Sequence, residues 1–231
     1  MLPYLAAGAA LVFAGYHTMS PQSQLYGRTF TGEPRPSRRL ALTFDDGPDK
    51  TFTPRLLDTL AQHGVRATFF MIGAHVVRRP EIARAVAEAG HVIGNHTLTH
   101  SLLTLRSRPA VAAELRDCQR ALADAVGPHS RLFRPPYGGR RPAVLREARK
   151  QGLLPVMWRI AGYDWRTQSA AEIERNVLRQ IRGGEVILLH DGAPGITAAD
   201  RAGTVAAVAR LISVLKQQGF EFVTVPELMG N

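Results

Sequence analysis

One pattern recurs seven times beyond residue 38 and decides the fold class: a short apolar run, a loop, an amphipathic stretch and a glycine. The apolar runs at 40–44, 67–72, 91–95, 131–134, 154–160, 185–190 and 220–225 are short and rich in β-branched or aromatic residues. Strands buried on both faces read this way. Between them, Pro54 and Pro80 mark helix starts, and Gly64, Gly90, Gly127, Gly152, Gly183 and Gly219 mark helix ends. Strict alternation implies parallel strands joined by right-handed crossovers, in an open doubly wound sheet or a barrel. No GxGxxG follows the first run, which removes the main support for a dinucleotide-binding sheet. Polar residues instead fall at the C-terminal ends of separate runs: Asp45 and Asp46, His96, Arg134, Asp164 and His190. A barrel builds its site from such strand ends, so an incomplete, TIM-like (β/α)7 barrel of the α/β class is expected.

With 231 residues and 45% hydrophobic side chains, the chain fills one domain of this kind with a full core. Cys118 is the sole cysteine, which excludes an internal disulfide, and its apolar helical surroundings predict an inert buried thiol. The net charge is +10, and all but three of the 29 basic residues are arginines. They are spread along every helix, without a basic tail or an aromatic-interleaved patch. That argues against nucleic acid and for solvated helix faces suited to an anionic surface. No protein partner is inferred.

Residues 2–16 form an uncharged apolar run, shorter than the roughly 20 residues of a spanning helix and closer to a signal-peptide core or short anchor. No Lys or Arg precedes it, and Arg28, Arg35, Arg38 and Arg39 follow it, which on the positive-inside rule would keep the rest of the chain in the cytoplasm. Residues 20–37 are polar and rich in Gly and Pro. The expected division is an anchor or signal-like segment over 1–19, a linker over 20–37 and a catalytic domain over 38–231. Membrane association through residues 2–16, at the cell envelope, is expected with its side open; a helix packed on the domain is the alternative.

Two segments draw attention as chemistry. Asp45 and Asp46 are neighbouring carboxylates at a strand end, which repel unless a cation or proton lies between them. The bland reading is an Asx-turn. His96 and His100, in HTLTH, can face one point if the segment is helical or tightly looped, and with one carboxylate would form a two-His, one-Asp metal set. His17, His63, His75, His91 and His129 have no such partners and receive no role.

Three further segments, RPPYG at 134–138, Asp164-Trp165 and LLHD at 188–191, complete a series. In this order, over residues 40–228, the motifs resemble those of the polysaccharide deacetylases with the NodB-homology domain, carbohydrate esterase family 4. The resemblance implies a metal-dependent hydrolase that removes N-acetyl groups from amino sugars of a glycan, peptidoglycan or chitin-like oligomers. It implies Asp45 as the general base on water, Arg134 as its partner that keeps it ionised, and Asp46, His96 and His100 as ligands of Zn2+ or another divalent metal. It further implies an oxyanion contact from the Tyr137 backbone N–H, and His190 as general acid with its pKa raised by Asp164. Trp165 and Leu188 would wall the acetyl pocket. Two alternatives stay open: a related metal-assisted C–N hydrolase on a small amide, and a catalytically silent carbohydrate-binding scaffold. Intact Asp45 and His190 argue against the scaffold, which has no use for an acid and a base.

Overall fold

The computed structural model describes residues 2–195 and 199–230. Among these, the parallel strands are β1 (Arg39–Asp45), β2 (Thr68–Met71), β3 (Val92–Asn95), β4 (Leu132–Phe133), β5 (Leu154–Pro155), β6 (Ile160–Ala161), β7 (Val186–His190) and β8 (Glu221–Phe222). Their order is β5-β4-β3-β2-β1-β7-β6, with β8 joined to the first residues of β1. Helices α1 (Leu2–Met19), α2 (Phe52–Gln62), α3 (Gly73–Arg78), α4 (Pro80–Glu88), α5 (Arg108–Val126), α6 (Pro142–Lys150), α7 (Ala170–Leu178), α8 (Ala202–Gln217) and α9 (Val225–Met229) complete the chain. The expected incomplete (β/α)7 barrel is the fold observed.

Three of the expected runs differ from a single full-length strand, the run at 131–134 keeping only Leu132–Phe133. The run at 154–160 is split: β5 pairs with β4, and β6 pairs with β7. The two ends of the sheet path are therefore the halves of one kinked segment, and the barrel stays incomplete at seven units. The run at 220–225 keeps only two strand residues. Thr224 ends it by capping α9, its side chain and the Glu227 carboxylate forming a reciprocal capping box ahead of Pro226.

Alternation along β1 separates two environments. Leu40, Leu42 and Phe44 pack outward against residues of α2 and α8 such as Leu56, Leu60, Val208 and Leu211. Ala41 points inward, among Phe70, Leu132, Val156 and Val186. Thr43 and Asp45 share this inward phase two and four residues on, so the barrel axis passes from apolar filling to polar groups near the strand ends.

Residues 30–33 of the stretch read as a linker are bonded into this frame. The Phe30 N–H donates to the Pro155 carbonyl at 2.9 Å and its own carbonyl accepts from Met157 N–H at 2.7 Å. Three residues on, Glu33 N–H donates to the Gly184 carbonyl at 2.9 Å. The chain thus crosses the gap that the kink opens between β5 and the start of β7. Gly32, at φ +142°, permits that approach, since a Cβ there would overlap the Gly184 carbonyl. Helix α1 leaves Leu11, Val12, Phe13 and Tyr16 exposed. Among the described residues no helix is long and apolar enough to cross a membrane, so the expected membrane association has no spanning helix to carry it.

Cys118 lies wholly buried on α5, and burial pushes its thiol up to about 12. Because only the thiolate reacts, a disulfide reagent near neutral pH should leave the folded protein unmodified and titrate one thiol after denaturation. Rapid labelling of native protein would contradict this packing.

Candidate active site

Five residues other than glycine adopt left-handed backbone among those described: Asp46 (φ 73°), Thr97 (φ 66°), His100 (φ 60°), Tyr137 (φ 59°) and Tyr163 (φ 57°). All five stand in the loops that leave the C-terminal ends of strands. Such conformers are uncommon for residues with a Cβ, and their clustering marks the mouth of the barrel as a place where side-chain direction is over-determined.

Beneath the mouth, Arg134 is fully buried and its guanidinium reaches four acceptors. It donates to Asp45 Oδ1 at 2.7 Å, Thr43 Oγ1 at 2.8 Å, the Met157 carbonyl at 3.2 Å and the Val156 carbonyl at 3.3 Å. The Phe70 ring lies 4.1 Å from its central carbon, a cation–π contact from below. One oxygen of Asp45 is thereby fixed, and Oδ2 is left facing His96 Nε2 at 3.7 Å.

The 96–100 segment is a tight loop, the second of the two geometries that would let its imidazoles converge. The Asn95 side chain accepts from Thr97 N–H, and Thr97 Oγ1 accepts from His100 N–H. Glu114 on α5 receives the Thr99 N–H and the Thr99 and Ser101 hydroxyls. So held, His96 Nε2 lies 3.4 Å and His100 Nε2 3.1 Å from Asp46 Oδ1. Neither approach has hydrogen-bond geometry, and Asp46 Oδ1 is a buried atom without a hydrogen-bond partner among the described residues. His96 Nδ1 lies 2.8 Å from the Arg134 carbonyl, so it carries the proton and Nε2 presents a lone pair to the carboxylate. Lone pairs meeting at a buried point need a cation there. The three ligand atoms lie within 4.8 Å of one another, and an N/O set of this kind fits a divalent metal. Where a proton takes the cation's place on the imidazoles, His100 and His96 outweigh the burial that would raise the Asp46 pKa and hold the carboxyl well below its usual range.

Across the mouth, His190 is the register partner of Asp45 on the neighbouring strand. Its Nδ1 and its backbone N–H both donate to Asp164, each at 2.8 Å, which leaves Nε2 for a substrate. Burial would lower the His190 pKa; the Asp164 carboxylate, with Asp46 and Asp45 beyond it, reverses this and pushes it up to about 9. Asp191 serves the frame instead. Its carboxyl lies under Gly47, where a Cβ would overlap it, and accepts the Thr53 hydroxyl. Burial pushes that carboxyl up to about 7.

The structure brings every residue singled out by the motifs to one place. Asp45, Asp46, His96, His100, Tyr137 and His190 line a cleft of about 440 Å³, together with Trp165 and Leu188. Arg134 and Asp164 stand directly behind. The Tyr137 ring packs edge-on to His100, and Trp165 edge-on to His190. Sequence reasoning missed Met19, Trp158, Pro194 and Arg201, which also line the cleft. It also missed Thr204, whose hydroxyl donates to Asp164 at 2.9 Å, while Arg201 donates to the Asp164 carbonyl at 2.8 Å. Only the Thr43 of TFDDGP carried a usable signal, as an inward-phase polar residue two before Asp45.

Comparison with known proteins agrees with this geometry. A family model described as polysaccharide deacetylase matches residues 32–156. A peptidoglycan-N-acetylglucosamine deacetylase of Bacillus cereus is 39% identical over 198 residues, which cover 85% of this chain and 90% of the relative. A chitooligosaccharide deacetylase of Sinorhizobium fredii is 40% identical over 206 residues, 87% of this chain and 94% of the relative. Among solved structures, the Bc1960 peptidoglycan N-acetylglucosamine deacetylase, in complex with 4-naphthalen-1-yl-N-oxidanyl-benzamide, matches with a TM-score of 0.81 at 38% identity, covering 87% of this chain and 91% of that one. Sequence and fold agree over most of both chains, and the protein belongs to the polysaccharide deacetylase family.

Proposed function

We propose that this chain hydrolyses the N-acetyl groups of N-acetylglucosamine units within a glycan. The observation that carries the reading is the convergence of Asp46, His96 and His100 between a carboxylate anchored by Arg134 and an imidazole anchored by Asp164. The two relatives differ in the glycan their names give and stand at nearly equal identity, so the unit common to both glycans is the substrate proposed. Action on peptidoglycan would place the protein at the cell envelope.

Amide hydrolysis near neutral pH needs an activated water, a stabilised oxyanion and a proton for a poor leaving group. Asp46, His96 and His100 would hold a divalent ion, for which zinc is proposed. When bound, that ion supplies a Lewis acid for the acetyl carbonyl and lowers the pKa of water toward about 7. Asp45 is assigned as the base, its Oδ2 accepting the proton of the attacking water while Arg134 fixes Oδ1. The Tyr137 N–H is assigned to the oxyanion, in a turn whose next two amides are taken by the Pro135 and Pro136 carbonyls. His190 Nε2 gives its proton to the departing amine, and Asp164 keeps the ring oriented and protonated. Trp165 and Leu188 close around the acetyl methyl. Tyr137 and Trp165 are 55% and 44% exposed, broad aromatic faces at an open cleft that suit a sugar ring better than a small amide.

Acetate release from N-acetylglucosamine tetramer with added zinc tests the reading; turnover of small amides alone would move the assignment to another C–N hydrolase, and neither activity would leave a scaffold. Asp46→Asn should weaken metal binding by about tenfold or more, read by elemental analysis, whereas Asp45→Asn should retain metal and lose turnover. Equal loss of metal in both variants would overturn this division of labour.

The acid must hold its proton, so kcat/KM should be high below the His190 pKa and fall as pH rises through it. That limb should lie near pH 9 for the geometry described, with a cation beside Asp46 drawing it lower. Asp164→Asn removes the charge that raises this pKa and should shift the basic limb down by about one unit or more. His190→Ala should cost roughly a hundredfold or more in kcat on the amide, and much less on an activated acetyl ester whose leaving group needs no proton. The same loss on both substrates would remove His190 from the acid's role.

A further inference from the structure

Arg140 is the unexplained feature of the RPPYG region. It is 1% exposed and pairs with no carboxylate among the described residues. Its guanidinium donates instead to three backbone carbonyls: Gly138 at 3.1 Å, Ser23 at 2.7 Å and Ser20 at 2.5 Å. Its backbone N–H donates to the Thr18 carbonyl at 3.0 Å. One side is the turn that carries Tyr137; the other is the end of α1 and the residues that follow it. A charge taken from water for this purpose is costly unless its donors are used, and here they are used to join two segments 117 to 120 residues apart. The α1 end is braced from behind as well, since His17 Nδ1 bonds the Ser23 hydroxyl at 2.6 Å and the Tyr26 hydroxyl donates to the Ala14 carbonyl. Between these contacts stands Met19, 47% exposed, and it lines the cleft with Tyr137 and Trp158.

We propose that residues 18–23 form one wall of the substrate cleft, with Met19 as the side chain that meets the sugar flanking the reacting unit and Arg140 as the positioning residue that holds the wall against the Tyr137 turn. The proposal rests on the deacetylase reading for the identity of the ligand. An unbranched thioether beside aromatic faces suits the apolar side of a pyranose ring, and its flexibility suits a rim that admits more than one glycan. A rim contact acts on binding more than on chemistry, so its removal should show in KM.

The test compares wild type, Met19→Ala, Met19→Lys and Arg140→Ala on N-acetylglucosamine dimer and tetramer, with hydrogen exchange of all four proteins. Met19→Ala should raise KM for the tetramer by about tenfold, more than for the dimer and more than any fall in kcat. Met19→Lys should raise it further. Arg140→Ala should reproduce the KM effect and speed exchange of the Ser20, Ser23 and Gly27 amides about tenfold or more, while amides of β1 and β7 keep their protection. The exposed Met19 variants keep the test valid if Arg140→Ala fails to fold. Wild-type turnover of the tetramer with KM unaltered in the Met19 variants would overturn the wall and leave the deacetylase reading standing. No wild-type acetate release from either oligomer would overturn that reading; the wall would then be decided by exchange alone, and fast exchange of Ser20, Ser23 and Gly27 in the wild-type protein would overturn it.

Discussion

The barrel and its chemistry meet in one buried cation. When the 154–161 segment leaves β4 for β7, the carbonyls of Val156 and Met157 lose the neighbouring strand that would normally satisfy them, and a buried carbonyl without a partner is costly. Arg134, directly after β4, supplies both partners and uses its remaining reach on Thr43 and Asp45. The same fork therefore closes the polar accounting of the kink and orients a carboxylate at the mouth. Lysine could not do this, because a point charge on a flexible stem does not match acceptors arranged around a plane. Burying an ion pair brings no net stability in general. Here it permits a geometry, an incomplete barrel of seven units, that an apolar side chain at position 134 would leave unsatisfied.

Above that layer, the mouth is built from backbone that L-residues resist. Each left-handed residue with a Cβ costs on the order of 1–3 kcal/mol, and five such residues surround one cleft. Local bonds hold them in place: Asn95 and Thr97 bridge the 96–100 loop, Glu114 clamps its outer side, and Asp191 with Gly47 seats the turn after Asp46. The rigid strands below supply the stability. The result is a set of donor atoms aimed before any ligand arrives, so little reorganisation remains for binding.

Much of this was legible in the chain. Strand runs and helix punctuation are local signals, whereas the motif residues took their roles from the resemblance of the whole ordered motif series to a known family, since a carboxylate pair alone also reads as an Asx-turn. The kink in 154–161 was not legible, since Leu154 to Trp158 and, after Arg159, Ile160 and Ala161 read as one mostly apolar run whichever neighbour each residue pairs with. Residues 20–37 looked like punctuation because composition reports side chains, whereas Phe30 and Glu33 are tied to the barrel through backbone N–H and C=O groups that every residue owns. Met19, Arg201 and Thr204 reach the site from elements far away in sequence, and no spacing rule points from a helix end or a lone threonine to a distant histidine.

The crossing of residues 30–33 over the gap between β5 and β7 has a colloidal consequence. A kinked barrel strand leaves two half-edges, rows of N–H and C=O groups that another extended chain can extend by pairing. Phe30 and Gly32 occupy those rows, one in parallel and one in antiparallel sense. The segment is in this respect an internal edge strand that never becomes a full strand, and it keeps neighbouring copies from adding their own. A chain deprived of it would keep its catalytic motifs and gain a sticky seam, so self-association through strand addition, more than loss of fold, is the fate that this short polar stretch averts.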